Sequence, residues 1–205
     1  PDAALKLKLA GLPLKVAERF APGLGIDGRL DLDATVTGAV ASPSVAWSTR
    51  VSGLKHAETA KVGIASFDVT ASGRGDKAAT SFDLAANGGG LTLKGSGRLP
   101  FAGAGLDATI RADLPLAVLA PLTGREMRLS GRADAEVTAR GSLDRPDLAG
   151  RILISGAEIA DGETQLTLKG VEGRIDLDEK SARIERLEGA LAAGGRFRIG
   201  GRVEI

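Results

Sequence analysis

Apolar and polar residues alternate one for one over much of this chain. Across residues 129–141, Leu129, Gly131, Ala133, Ala135, Val137, Ala139 and Gly141 are separated by Ser130, Arg132, Asp134, Glu136, Thr138 and Arg140. A period of two puts the first set on one face of an extended chain and the second on the other, which predicts a strand with one apolar and one charged face. The stretch GSLDRPD follows, in which Pro146 fixes its own φ and brings no amide donor, and residues 148–155 read as a strand running back. Two such runs about such a turn predict a hairpin.

The same unit occurs earlier, over residues 26–53. Ile26, Gly28, Leu30, Leu32, Ala34, Val36 and Gly38 alternate with Asp27, Arg29, Asp31, Asp33, Thr35 and Thr37. Gly28-Arg29, Gly38, Pro43 and Ser52-Gly53 answer Gly131-Arg132, Gly141, Pro146 and Ser155-Gly156 at a constant offset of 103 residues. The chain therefore reads as a long-period repeat, with one copy over residues 1–102 and a second over residues 103–205 whose sheet continues the first.

Further alternating runs fill each copy to about six strands. Leu5, Leu7 and Leu9 open the first; Phe67, Val69 and Ala71, then Phe82, Leu84 and Ala86, then Leu91, Leu93 and Gly95 continue it, with turns at GRGDK and NGGG. In the second copy, Leu166 and Leu168 precede Val171, Gly173, Ile175 and Leu177, and the phase slips near Gly170, which predicts a bulge. Ala182, Ile184, Phe197, Ile199 and Val203 belong to its last strands. Alternation gives way around residues 13–21 and 115–120, where Pro13 and Pro115 precede apolar residues at helical spacing; short helices are predicted there, packed at the sheet's edge, the second with Asp113 as N-cap.

Strand after strand with one apolar face, and only two weak helices to cover them, cannot form an ordinary two-layer core. The prediction is an all-β protein: an elongated, curled, mostly antiparallel sheet that leaves its apolar face to something else. That face is rich in Gly and Ala, the chain having 29 glycines, and small inward residues leave room for a groove. Its lining is predicted from the alternation as Leu30, Leu32, Val36, Trp47, Val51, Phe67, Val69, Phe82, Leu84, Leu91, Leu93, Val137, Ile152, Ile154, Leu166, Leu168, Ile175, Leu177, Ile184, Phe197 and Ile199. Asp31, Arg50, Glu136 and Arg140 are predicted to point to water.

Charge and composition narrow the chemistry. Lys and Arg number 27 against 26 Asp and Glu, interspersed on outward faces, so there is no basic stripe for nucleic acid. Cysteine is absent, which removes disulfides and thiolate chemistry. The longest apolar run, residues 114–122, is broken by prolines and far short of the roughly 20 residues a membrane helix needs. The chain starts at Pro1 without Met or leader and ends inside a strand pattern, so a fragment of a longer protein is expected.

No enzyme, metal or cofactor is expected. The one histidine, His56, stands in the polar connection HAET with no catalytic companions. GLGIDG at residues 23–28 matches a dinucleotide fingerprint by letter, but it follows a helix and opens a strand, the reverse of the required context. Asp31 with Asp33, and Asp176 with Asp178, share faces but lack the loop oxygens calcium needs. An outer-membrane barrel would need aromatic girdles, and this chain has one Trp and no Tyr; a β-solenoid would show a much shorter period.

The segments LPLKVAERFAPGLG and LPLAVLAPL, the hairpin TARGSLDRPDLAGRILISGAEI and the closing GGRFRIGGRV resemble the repeats of the TamB family, relatives of the AsmA-like and other bridge-like lipid-transfer proteins. The likeness covers nearly the whole chain in two copies, and the turn-proline hairpin is its most specific part. It implies an incompletely closed β-barrel, a β-taco, whose apolar groove carries phospholipid between inner and outer membrane. It further implies a periplasmic location in a Gram-negative bacterium, an inner-membrane anchor in the full-length protein, and the outer-membrane barrel TamA as its partner. The same fold admits a rival task, a scaffold that pairs unfolded outer-membrane strands with its open edges by β-augmentation.

Overall fold

Twelve strands follow one another across a single antiparallel sheet in sequence order, each hydrogen-bonded to the strands before and after it. They are β1 (Asp2–Pro13), β2 (Ile26–Ala39), β3 (Ser44–His56), β4 (Phe67–Gly75), β5 (Ala79–Gly88), β6 (Leu91–Pro100), β7 (Ala104–Pro115), β8 (Met127–Ser142), β9 (Pro146–Asp161), β10 (Thr167–Asp178), β11 (Ser181–Leu191) and β12 (Arg196–Glu204). The sheet is not closed into a barrel; β1 and β12 are its end strands. This computed structural model describes residues 2–19, 25–56, 66–123 and 127–204.

Two compact units divide the chain. The first comprises Pro1–Thr109 with Arg140–Pro146, the second Ile110–Ala139 with Asp147–Ile205. In the first, cross-strand pairing runs in sequence order from β1 to β6. Leu7, Ala34, Trp47, Gly73, Phe82 and Gly97 are successive partners across it, as are Leu9, Leu32, Thr49, Ala71, Leu84 and Gly95. Opposed residues share a face, so the apolar residues of six strands form one surface. The opposite face is polar: Lys8, Asp33, Ser48, Ser72, Asp83 and Ser96 are partners in the intervening row.

Repeat glycines mark places where the ladder shifts. Register slips between Leu9 and Leu12, between Asp27 and Arg29, and between Val51 and Leu54. Gly11 and Gly53 take the left-handed conformation at φ 63°, which a Cβ would disfavour. Carboxylates on the neighbouring strands close these bulges: the Gly11 N–H donates to Asp31 and the Gly53 N–H to Asp68, each at 2.8 Å. The second unit repeats the device, the Gly156 N–H donating to Glu172 at 2.8 Å. Gly28 lies against Gly53, and Gly131 against Gly156 and Ala157. Of the residues that mark the repeat in the sequence, Gly28 with Gly53 and Gly131 with Gly156 are thus the two sides of one bulge site in each copy. The phase slip read near Gly170 is also a bulge, with register shifting between Lys169 and Glu172 and Gly170 at φ 56°.

Several elements differ from their expected form. Both helices are 3₁₀ segments, Leu14–Arg19 and Leu116–Thr123, because the strands before them run on as far as Pro13 and Pro115. Asp113 is therefore no N-cap. It lies in β7 and accepts from Arg132, Nε at 2.9 Å. The second helix does not pack at the sheet's edge: Leu116 is buried with Ala133, Ala157 and Val171 on the apolar face. His56 ends β3, in register with Ile26, instead of lying in a connection; the rest of HAET falls outside the described residues, as does the start of GLGIDG.

The polar face of the second unit is a lattice of Arg and carboxylate. Asp176 accepts from Arg174 Nε at 3.0 Å and Arg151 Nε at 3.3 Å, and Glu188 from Arg198 at 2.9 Å. The hydrogen bond from Arg174, then that from Arg151, hold the Asp176 carboxyl below its usual range; Arg198 does the same for Glu188, helped by the charges of Arg186 and Arg196.

Two outcomes follow from these contacts. Asp68→Ala leaves the Gly53 bulge without its acceptor and is expected to lower unfolding free energy by about 1 kcal/mol, measured by urea titration; no loss would show that water serves equally well. A carboxylate whose folded pKa is depressed stabilises the fold above its unfolded value of about 4 and loses that contribution as pH falls through the lower folded value. The urea midpoint should therefore fall on acidification below about pH 4, and less so in Asp176→Asn than in the parent.

Candidate functional site

The apolar face of the first unit is built by period-two alternation and held in place by register. Of the predicted lining residues, Leu30, Leu32, Val36, Trp47, Val51, Phe67, Val69, Phe82, Leu84, Leu91 and Leu93 all stand on it. Their cross-strand pairs include Leu30 with Val51, Val51 with Val69, Leu54 with Phe67, Ala71 with Leu84, and Gly88 with Leu91. All eleven are half-buried. Toward β1 the face opens further, with Leu5 at 66% and Leu7 at 50% exposure. Asp31 and Arg50, predicted to face water, pair with each other on the opposite side.

In the second unit, Ile152, Ile175 and Ile184 are partners in one row, and Ile154, Gly173, Leu187 and Ile199 in another. Leu177 pairs with Gly150 and Ala182. Val137 is half-buried beside Gly150, and Glu136 and Arg140 are exposed. Ile154, Leu168 and Phe197 pack against the buried cluster that contains Leu116, so part of this unit's face is filled by its own residues. Two predicted lining residues stand apart. Leu166 precedes β10 and is 46% exposed, because its carbonyl accepts from the Asp161 N–H at 2.9 Å and closes the turn before the strand begins. Ile199 keeps the right face but lies on the end strand, 49% exposed.

Glycine on this face does more than leave space. A Cβ on Gly73 would lie 2.8 Å from the Trp47 ring, one on Gly189 3.0 Å from the Phe197 ring, and one on Gly173 2.7 Å from Leu187 Cδ1. Each large side chain settles into the position that its cross-strand glycine vacates, which keeps the surface low. Only register reveals this, since the partners are distant in sequence. Trp47 further donates from Nε1 to Thr80 Oγ1 at 3.0 Å.

Elsewhere the surface offers little chemistry. An open depression of about 600 Å³ lies on the polar side, lined by Asp33, Thr35, Ser48, Ser72, Arg74, Ser81 and Asp83 with Ala46, Trp47 and Gly73; it suits water better than an apolar chain. Among the described residues, no group of three or more His, Cys, Asp or Glu is placed to hold a metal, no buried side-chain N or O lacks a hydrogen-bond partner, and no helix is long and apolar enough to cross a membrane. Asp31 and Asp176, weighed as calcium ligands from the sequence, instead accept from the Gly11 amide and from two arginines.

Comparison with protein-family models, with curated proteins and with solved structures returned no match.

A Cβ on Gly73 would stand 2.0 Å from the Ser81 carbonyl oxygen as well as against the indole. Gly73→Ala must then push β4 from β5 or lift the ring, and is expected to destabilise by about 1–3 kcal/mol, the range for overpacking. Thermal unfolding with unchanged midpoint would show that the close approach is absent.

Proposed function

We propose that this chain holds the acyl chains of phospholipid on its apolar face and carries them as one section of a bridge-like lipid-transfer protein. The observation that carries this reading is the face of the first unit: apolar in register across six strands, half-buried, and backed by a face that bears the charges. A surface of that kind is costly in water and marks a binding site. The energetic need is large. Exposing a sixteen-carbon chain costs on the order of 12 kcal/mol at roughly 0.8 kcal/mol per methylene, so lipid crosses an aqueous space only on such a surface. The resemblance of the repeats to the TamB family agrees with this, and with a periplasmic setting between an inner-membrane anchor and the outer-membrane barrel TamA.

A second reading is favoured by the free edges. β1 and β12 have one neighbour each in the strand order, which suits a scaffold that adds unfolded outer-membrane strands by β-augmentation. Lys6 and Lys8 on β1 weigh against promiscuous pairing there.

The test uses adjacent positions on opposite faces. A benzophenone side chain at Val51 or Val69 is expected to capture phospholipid on illumination in bacteria, and one at Arg50 or Thr70 is not. Val51→Asp places an unpaired carboxylate against the acyl chains, at a cost of several kcal/mol, and should abolish capture at Val69. Equal capture from both faces, or none from either, overturns lipid binding; capture of outer-membrane protein at β1 or β12 with no lipid at Val51 selects the scaffold.

A further inference from the structure

Trp47 is the chain's one tryptophan, and its indole lies along the sheet. From β3 it crosses β4 against Gly73, where a Cβ would meet Cζ2 at 2.8 Å and Cε2 at 2.9 Å, and its Nε1–H reaches Thr80 Oγ1 on β5 at 3.0 Å. Thr80 is 9% exposed and donates its own hydroxyl proton to the Ser81 carbonyl at 2.9 Å. A threonine is thus buried with its hydroxyl oxygen accepting from the indole, and the Arg74 carbonyl also lies 3.3 Å from that hydroxyl. A buried hydroxyl is tolerated only when paired; here backbone carbonyls take its proton and the ring N–H fills its acceptor side.

We propose that the Trp47 indole contacts bound acyl chains and controls their access to the apolar face of the first unit. Clamped over Gly73 by Thr80, the indole is part of the floor on which acyl chains lie; released from that hydrogen bond, the same ring stands in their path. Glycine supplies the recess and threonine the latch, and the two together let the bulkiest side chain on the face occupy no depth. This inference rests on the lipid reading above.

The test uses the full chain and the natural fluorescence of its single tryptophan. Phosphatidylcholine carrying a dibromostearoyl chain, whose bromines quench indole on contact, should remove most Trp47 emission, whereas the unbrominated lipid should not. Thr80→Val keeps the shape of the side chain and removes the latch. It should lower phospholipid captured by a benzophenone at Val51 about fivefold, the fold-change expected for one hydrogen bond, and adding Trp47→Ala should restore capture because no ring is left to rise. Capture at Val51 without bromolipid quenching, or Thr80→Val capturing as the parent does, overturns the role of Trp47 and leaves lipid binding intact. Absence of capture at Val51 in the parent overturns the lipid reading and this inference with it.

Discussion

A sheet with one apolar face has to cover that face, and the described residues supply little to cover it with. Among the described residues the buried apolar positions are Ala79, Ala86, Leu106, Ala108, Leu116, Ala133, Ala157 and Val171, most of them alanine. So small a core contributes little of the hydrophobic stabilisation that ordinarily offsets chain entropy. The larger apolar residues stand half-buried on the face itself, and the ladder of backbone hydrogen bonds holds them in rows. Any occupant that binds the folded face and not the unfolded chain adds its binding free energy to stability. On the lipid reading, cargo and core are the same thing.

Glycine makes such a face workable in two ways. At Gly11, Gly53, Gly156 and Gly170 it takes a left-handed conformation and produces bulges, which bend the bulged strand and strengthen its twist. At Gly73, Gly173 and Gly189 it receives a neighbour's large side chain, so the surface carries Trp and Phe without tall projections. The polar side is tied to the first of these. Asp31, Asp68 and Glu172 point away from the apolar face and accept the amides that the bulges leave unpaired. Acidic residues that look like solvating charge along a strand are therefore closing the backbone where the ladder shifts.

The two units use their apolar faces differently. In the second, Leu116 of the 3₁₀ helix sits with Ala133, Ala157 and Val171, and Ile154, Leu168, Leu187 and Phe197 pack around that cluster. Part of the face is occupied from within, which gives this unit the nearest thing to a conventional core. The rows beyond it, Ile152 with Ile175 and Ile184, and Gly150 with Leu177 and Ala182, continue the small and β-branched pattern of the first unit.

Alternation is local, and what it determines was legible in the residues alone: an all-β sheet of twelve strands, the sharing of one face by Leu30, Val36, Val51 and Phe82, and the bulge at Gly170. Side chains two apart must lie on the same side of an extended strand whatever else happens. Tertiary structure decided everything that depends on which strands meet and at what register. It took Leu166 off its strand through a turn hydrogen bond to Asp161, gave Asp113 to Arg132 instead of a helix end, and laid Leu116 on the face. It also set Trp47 over Gly73 with its indole N–H on Thr80. No periodicity along the chain encodes a contact between residues 26 and 33 positions away, because such contacts arise only when register places the strands side by side.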